Sequence, residues 1–566
     1  MCNCRTYCQR WLTSTMSDND QKSSPKRKQV SNDWSDALSE LRNQQKLAHN
    51  PPPDDPGYVR QKQNGKLHVR ERLAALLDRD SFQEIGSITG QPSYDEASGS
   101  LKSFLPTNLI MGWGRVRGRK VFVTADDFSV RGGHADGGIG GKAPYGEAQA
   151  RKARIPLIRL LDGSSGGGSV TTSAFISDLS TGATYIPGLA GLGQSMDTMA
   201  IVPVTSALLG PVVGLGAAKA VIGHFSVMVK GLSQLFAAGP PVVKQATFED
   251  LTKEQLGGWE IHARNGTVDN VASSELDAFE QIRTFLSFLP SSVFALAPSL
   301  HASTGYDSPD RREEELLRII PTRRGRPYDI RRLIRLVVDK PAANAGDTAF
   351  FEIGATWGQN IVVGLARLSG AIDAFGSQKT ARFVNLCDQF NIPILNLIDQ
   401  PGFAIGSLAE RIATIRHGAS AIAALYHACV PIYTIIIRRA FGVAGSGFTD
   451  PEDGKNTRVA WPSADWGSLP LEGGIEAAYK RQLDAAAAES SEAKEKLIQD
   501  LLIRFEDVRS PLRTANKFGV EEVIDPRDTR PLVCDWVTNV YEHVLPPLVS
   551  AKTAALMGYG KRHYRL

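Results

Sequence analysis

Cysteine is scarce: six in 566 residues cannot make a disulfide framework, so the fold must rest on packing and Cys387, Cys429 and Cys534 read as core thiols of a reducing compartment. Cys2, Cys4 and Cys8 stand closer together than zinc ligands do and have no histidine beside them. Histidine is also sparse, ten in all, and no pair has the His-x-x-x-His spacing of a metal hydrolase on a convincing helix, so no metal is expected and His134, His224, His262 and His417 read as core or surface residues. Apolar runs stop short of the roughly 18 to 20 residues of a membrane span. The run Val430-Pro-Ile-Tyr-Thr-Ile-Ile-Ile437 is ended by Arg438 and Arg439 and reads as a buried parallel strand. Excess charge of one sign is missing too. The net charge is +4, basic residues are interspersed with acidic ones, and clusters such as Arg323-Arg-Gly-Arg326 and Arg331-Arg332 read as solvated helix faces, so neither nucleic acid nor membrane is an expected partner. Nucleotide and hydrolase signatures are lacking as well: Gly137-Gly-Ile-Gly-Gly141-Lys142 has no hydroxyl residue after its lysine, and Ser164 and Ser165 are not in a Gly-x-Ser-x-Gly elbow.

What the chain has in abundance is glycine, 53 residues, together with an internal repeat. Gly112-Trp-Gly-Arg-Val-Arg-Gly118 leads to Ile155-Pro-Leu-Ile-Arg-Leu-Leu-Asp162, then Val202-Pro203 and Leu209-Gly-Pro-Val-Val-Gly214. The second half runs Gly364-Leu-Ala-Arg-Leu-Ser-Gly370, Ile392-Pro-Ile-Leu-Asn-Leu-Ile-Asp399, Val430-Pro431 and Ala440-Phe-Gly442. Ile to Asp is seven residues and Val to the last Gly is twelve in both, but Gly112 to Ile155 is 43 against 28 from Gly364 to Ile392. The second copy is therefore 15 residues short after Gly370, where the first has the strand Arg119-Lys-Val-Phe-Val-Thr-Ala-Asp126. Loss of a strand there would uncover backbone groups and apolar neighbours. The deficit admits two origins, a diverged second half or a gene model that has lost coding sequence.

Short β-branched runs alternate with helical stretches, the pattern of an α/β fold. Strands are expected at 155–161, 202–209, 392–398 and 431–437, with a helix over 409–425. Two domains follow, 58–315 and 316–566, behind a segment 1–57 read as disordered or targeting, apart from a short helix over 34–47. Its first sixteen residues carry Arg5 and Arg10 and no acid, which suits an organelle transit peptide as well as a plain tail. Two strands run into glycine, at Gly163-Ser-Ser-Gly166-Gly167-Gly168 and at Gly442-Val443-Ala444-Gly445-Ser446-Gly447. Such turns converge backbone N–H groups on one point, suited to a phosphate or an oxyanion. Their apparent equivalence in the repeat points to function for both.

Arg70-Glu-Arg-Leu-Ala-Ala-Leu-Leu-Asp78, Gly112-Trp-Gly-Arg115, Asp126-Asp-Phe-Ser129, Leu256-Gly-Gly258, Phe350-Phe-Glu-Ile353, Asn360-Ile-Val-Val-Gly364, Asp399-Gln-Pro-Gly-Phe403, Arg416-His-Gly-Ala419 and Ala460-Trp-Pro462 resemble, in order, the carboxyltransferase (beta) subunits of biotin-dependent acyl-CoA carboxylases of the propionyl-CoA and methylcrotonyl-CoA type. The resemblance spans about 67–562. It implies two tandem crotonase-like (ClpP/crotonase) ββα-superhelix domains, the first for acyl-CoA and the second for biotin. It also implies a mechanism in which carboxybiotin releases CO2, the biotin enolate takes the acyl-CoA α-proton, and the thioester enolate attacks CO2, each enolate held by backbone donors. By position, Gly166 and Gly167 match the hole for the thioester, and Val443 and Ala444 the hole for biotin, with Val443 replacing the family's glycine. Gly133, Lys142, Tyr328 and Asp329 match the acyl-CoA-binding stretches, and Arg131 joins Lys142 there through its charge alone. Pro401, Gly402, Phe403 and Ser446 match the biotin and acyl pocket, Ser446 replacing an acid. A separate biotin carboxylase and biotin carrier subunit, ATP used by that partner only, and a homo-oligomer from dimer to hexamer are implied too, because the chain has no Ala-Met-Lys-Met attachment site. A biotin-dependent decarboxylase component and a catalytically impaired assembly subunit are the alternative readings. The family suggests mitochondrial matrix or cytoplasm, and the sequence leaves both open, along with the acyl chain.

Overall fold

The computed structural model describes residues 33–134, 138, 141–164, 191–298, 307–323, 325–340, 350–359, 361–368, 371–375, 380–403, 406–407, 411, 413–449 and 456–558. Gly166 and Gly167 lie outside them. Helix α1 (Ser35–His49), where a short helix was expected over 34–47, precedes α2 (Pro56–Gln63) and α3 (Val69–Leu76). The first half then runs β1 (Gln83–Glu84), a hairpin of β2 (Gly90–Tyr94) and β3 (Leu101–Pro106), β4 (Leu109–Val116), β5 (Arg119–Asp126), α4 (Lys142–Ala153), β6 (Leu157–Ser164), α5 (Leu192–Met199), β7 (Val204–Val213), α6 (Leu215–Val221), β8 (Phe225–Val229), β9 (Gln234–Phe236), α7 (Pro240–Thr247), α8 (Lys253–Gly257), β10 (Asn270–Ala272) and α9 (Glu275–Phe288). The second comprises α10 (Ile330–Val337), β11 (Phe350–Ile353), β12 (Val363–Leu368), β13 (Ala371–Phe375), α11 (Thr380–Gln389), β14 (Ile394–Gln400), α12 (Thr414–His427), β15 (Ile432–Phe441), α13 (Gly442–Thr449), β16 (Thr457–Ala460), β17 (Asp465–Gly467) and β18 (Glu522–Val523).

The repeat is real at the level of topology. One sheet has the order β1-β4-β5-β6-β7-β8-β10 with β9 on β7, the other β11-β12-β13-β14-β15-β16-β18 with β17 on β15. Matching strands pair alike: β4 with β5 and β12 with β13 antiparallel, and the strands from there on parallel. Parallel strands need crossover helices, and the apolar content of β7 and β8 on both faces follows from being covered on both. Within the helix expected over 409–425 lies α12, preceded by Ala413 in left-handed backbone, φ 56°. Cys387 and Cys534 are buried as expected, but Cys429 is exposed, because it lies in the turn between α12 and β15 rather than in the strand.

The slot expected to be vacant is filled. β13 begins seven residues after Gly364, as β5 does after Gly112, and takes the same place between its neighbours. The deficit falls mainly beyond the strand, in a connection that occupies 127–141 in the first half and 376–379 in the second. What the second half loses from the strand is length: β13 pairs with β14 at one position, Ala374 with Ile394, whereas β5 pairs with β6 at four. One continuous apolar core joins both sheets, with Phe225 stacked on Phe285 at 4.7 Å and edge-on to Phe351 at 5.5 Å. Polar bonds fix the seam: Asn270 accepts from the Gly354 N–H at 2.8 Å and donates to the Glu352 carbonyl at 3.1 Å. No helix among the described residues is long and apolar enough to cross a membrane.

Candidate active site

Strand β6 ends in a close backbone contact. A Cβ on Gly163 (φ 133°) would lie 2.7 Å from the Gly132 carbonyl oxygen and from Gly133 Cα, and one on Gly133 (φ 68°) 2.5 Å from the Asp162 carbonyl oxygen. Glycine at both positions is what lets the segment Arg131–Gly133 lie directly on the strand end. Asn108 holds the same segment by donating to the His134 carbonyl at 2.6 Å, and Asp127 accepts from the Ser129 N–H and hydroxyl. Beside this contact opens a cavity of about 630 Å³ whose wall includes Arg60, Arg131, His134 and Lys253, with Gly163 at its edge and no Asp or Glu among the described residues. Phe128, Phe236 and Pro240 supply its apolar surface. Arg131 thus faces the cavity and Gly133 supports it from behind. Lys142 does not line it: its ammonium donates to the Gly86 carbonyl at 3.0 Å, and burial brings its pKa down to about 8.

Arg60 and Lys253 were not singled out in the sequence, although a signal existed for one of them. Lys253 opens α8, fixed by a capping box between Thr252 and Gln255, just before the Leu256-Gly-Gly258 motif. Arg60 lies on α2 where the chain reads only as polar.

Both sheets carry a bulge at the same place, where Asp162 and Asp399 leave the register of β6 and β14. Asp162 is fully buried, with Lys66 at 2.6 Å and Arg72 at 2.7 Å, while Arg72 also holds Glu275. Gly210 opposite must be glycine, since a Cβ there would fall 2.0 Å from an Asp162 oxygen. Burial keeps the Lys66 ammonium below its ordinary pKa, opposed by the nearby Asp162 charge. Burial, reinforced by Asp162, also pushes the Asp126 carboxyl up to about 7, although it accepts the Asp162 N–H at 3.2 Å. In the second half, the bulged strand carries its own cations: Arg439 meets Asp399 at 2.6 Å. The Tyr328 hydroxyl donates to the same carboxylate at 3.0 Å, and burial with that charge holds its pKa far above the phenolic range. Tyr328 therefore anchors the segment before α10 to the end of β14. Asp329 caps α10, accepting from the N–H groups of Arg331 and Arg332, and neither residue lines the first-half cavity.

The two glycine loops are not equivalents. The loop after β6 corresponds to Gln400-Pro401-Gly402-Phe403 after β14, and the loop after β15 corresponds to Gly214 after β7. The two turns of each half are instead neighbours across paired strands: Ser164 pairs with Val213, next to Gly214, and Gln400 with Ala440, two residues before Gly442. At the end of β15, Gly442 (φ 61°) turns the chain into α13, whose first-turn amides include those of Val443 and Ala444 and have no intrahelical acceptor. The Val443 side chain is 71% exposed, so its branching does not fill the turn, whereas Ala444 is buried. A cavity of about 210 Å³ behind the turn is lined by Gly442, Gly445, Ser446, Arg458 and Trp466. Nearby, Gly402 takes φ 114°, and the Phe403 ring packs against Gly418 of α12. No group of three or more His, Cys, Asp or Glu among the described residues could hold a metal.

Comparison with known proteins places this geometry. Residues 60–539 match the family model of the carboxyl transferase domain. The mitochondrial propionyl-CoA carboxylase beta chain of Mus musculus is 32% identical over 492 residues, 84% of this chain and 85% of its own. The carboxyltransferase subunit of propionyl-CoA carboxylase from Haloferax mediterranei is 31% identical over 519 residues, 88% and 94% of the two chains. Transcarboxylase 12S, solved as a hexamer with methylmalonyl-coenzyme A and methylmalonic acid bound, is similar with a TM-score of 0.75 at 26% identity, covering 95% of this chain and 98% of that chain.

Proposed function

Because this chain belongs to the carboxyl transferase family, with the crotonase-type two-domain fold of its acyl-CoA carboxyltransferases, we propose that it moves a carboxyl group from carboxybiotin to an acyl-CoA. The observation that carries this reading is the first-half cavity, set against the end of β6, whose lining has four basic side chains and no acid among the described residues. A coenzyme A thioester has a phosphate-rich nucleotide for the cations and an apolar arm for Phe128, Phe236 and Pro240, and its carbonyl then reaches the glycine loop after Gly163. Carboxybiotin, delivered by a separate ATP-using subunit, supplies CO2 and the base for the α-proton. The chain's own part is electrostatic. Backbone N–H groups of the loop containing Gly166 and Gly167 meet the negative charge that develops on the thioester oxygen, and those of Val443 and Ala444 face the ureido oxygen. Fixed donors of this kind stabilise the charge without reorganising as it forms, so no acid or base side chain is required.

The fit of the second half to a ureido ring rests on two features: first-turn amides at the start of α13, and a small cavity beside them that Ser446 and Arg458 help to line. Neither depends on the shortened connection at 376–379. The known relatives named for propionyl-CoA favour a short acyl chain, and the hexamer of transcarboxylase 12S favours a homo-oligomer.

The test is ATP-dependent incorporation of labelled bicarbonate into acetyl-, propionyl- and methylcrotonyl-CoA by the purified chain with its biotin subunit. Turnover of at least one is expected, and Arg60→Ala with Lys253→Ala should raise KM for the thioester about tenfold or more with kcat within twofold, as two lost charge-assisted contacts demand. An N-acetylcysteamine thioester, which lacks the nucleotide, should not distinguish the double variant from wild type. Normal assembly without turnover of any thioester refutes the reading.

A further inference from the structure

A second cavity, about 300 Å³, lies in the seam between the halves, and its lining includes none of the residues from Gly442 to Gly447. Its volume is at the lower end of small-molecule sites, which run from about 300 to 1,000 Å³. Most of its polar wall is already satisfied. His224 Nδ1 accepts the Val204 N–H at 3.0 Å, so Nε2 carries the proton and faces Gln389 Oε1 at 3.3 Å; burial brings the imidazole pKa down to about 3, and the ring is neutral. Gln389 in turn donates to the Met199 carbonyl at 2.8 Å. Asp269 takes the Ser226 N–H and hydroxyl on one oxygen and Arg382 at 3.0 Å on the other, so the one ion pair in the wall is internally matched. Asn385 is different: its amide makes no hydrogen bond to another described residue, and it stands among Val221, Ile353, Phe383 and Leu386.

We propose that this seam cavity binds a small, uncharged, mainly apolar molecule carrying one amide or hydroxyl group that pairs with Asn385. A charged ligand would have to break the Arg382–Asp269 pair or bury an unmatched charge, which is costly. The walls come from both halves: Val221 ends α6, the helix that follows Gly214, and Phe383, Asn385 and Leu386 lie on α11, which leads into the strand bearing Asp399. An occupant therefore contacts both halves at once, and the site does not depend on the reaction proposed above.

The probe is 4-fluorobenzamide, titrated against the full chain in its native assembly and followed by ligand-observed fluorine NMR. Saturable binding is expected, with 4-fluorobenzoate at least tenfold weaker. Val221→Phe, which fills the cavity, should abolish binding, and Asn385→Leu should weaken it about tenfold while leaving the thermal transition in place. If Val221→Phe fails to fold, Asn385→Leu, at a half-buried position, carries the same comparison. Absence of saturable benzamide binding, equal affinity for the benzoate, or full affinity in Asn385→Leu each overturns the proposal, and so would a neighbouring copy that plugs the cavity in the assembled protein.

Discussion

The two matching aspartates should tolerate loss of charge very unequally. Asp162→Asn keeps size and shape but changes a buried group of two cations and two carboxylates, Lys66, Arg72, Asp162 and Glu275, into one with a net positive charge, at side-chain exposures of 0 to 6%. Leaving one partner of such a buried pair uncompensated costs about 3–5 kcal/mol. Asp399→Asn removes the partner of Arg439, but that guanidinium is 36% exposed and can turn to water, so the cost should be about 1 kcal/mol. Global unfolding of so large a chain is not a single transition, so the measurement is native-state hydrogen exchange, comparing amides of β6 with those of β14. A gap of about 2 kcal/mol corresponds to roughly thirtyfold in the opening constant. The sign with pH is also fixed. Raising pH lets Lys66 shed the proton that has lost its counter-charge, so the Asp162→Asn penalty should shrink between pH 7 and 10. Equal effects of the two substitutions, or a larger one at Asp399, would refute the reasoning.

Three further outcomes are expected. Asp126 has a folded pKa near 7, above its ordinary 3.8, so the folded state retains a proton that the unfolded chain releases and stability falls as pH rises through that window; in thermal melts Asp126→Asn should match wild type near pH 4 and exceed it at pH 8. Gly163→Ala places a Cβ 2.7 Å from the Gly132 carbonyl and must lift the segment Arg131–Gly133 off β6, so calorimetry should show acyl-CoA affinity at least tenfold weaker; an unchanged Kd contradicts the site. Val443→Gly should change kcat by less than about threefold, because only an exposed side chain is lost, whereas Val443→Pro, in a first turn that tolerates proline, removes the N–H and should cost about 10²- to 10³-fold.

Strand content and the duplicated architecture were legible in the sequence because the repeat preserves Ile-Pro starts, aspartate ends and β-branched runs that only parallel, doubly covered strands require. The filled slot at β13 was not, since a spacing deficit says how much chain is missing between two landmarks and not whether strand or connection gives it up. The equivalence drawn between the two glycine loops failed for a related reason. Glycine clusters look alike in sequence, but which strand each follows decides its place, and Gly214 and Pro401–Gly402 fill the matching positions with different residues. Arg60 and Lys253 escaped notice because a cation acquires direction only from the helix that carries it. Lys142 stood out by its motif and proves to spend its ammonium on Gly86.

The unequal sourcing of cations at the two bulges bears on the order in which the chain can fold. Asp399 finds Arg439 on the adjacent strand, 40 residues away, so that corner can consolidate as soon as β14 and β15 meet. Asp162 waits for Lys66 and Arg72, 96 and 90 residues upstream, and for Glu275 beyond the whole sheet. Contacts of such sequence separation carry a large loop-closure entropy and form late. The corner that presents Gly163 should therefore be among the last parts of the molecule to set during refolding, and a chain emerging from the ribosome cannot complete it until α9 has been made.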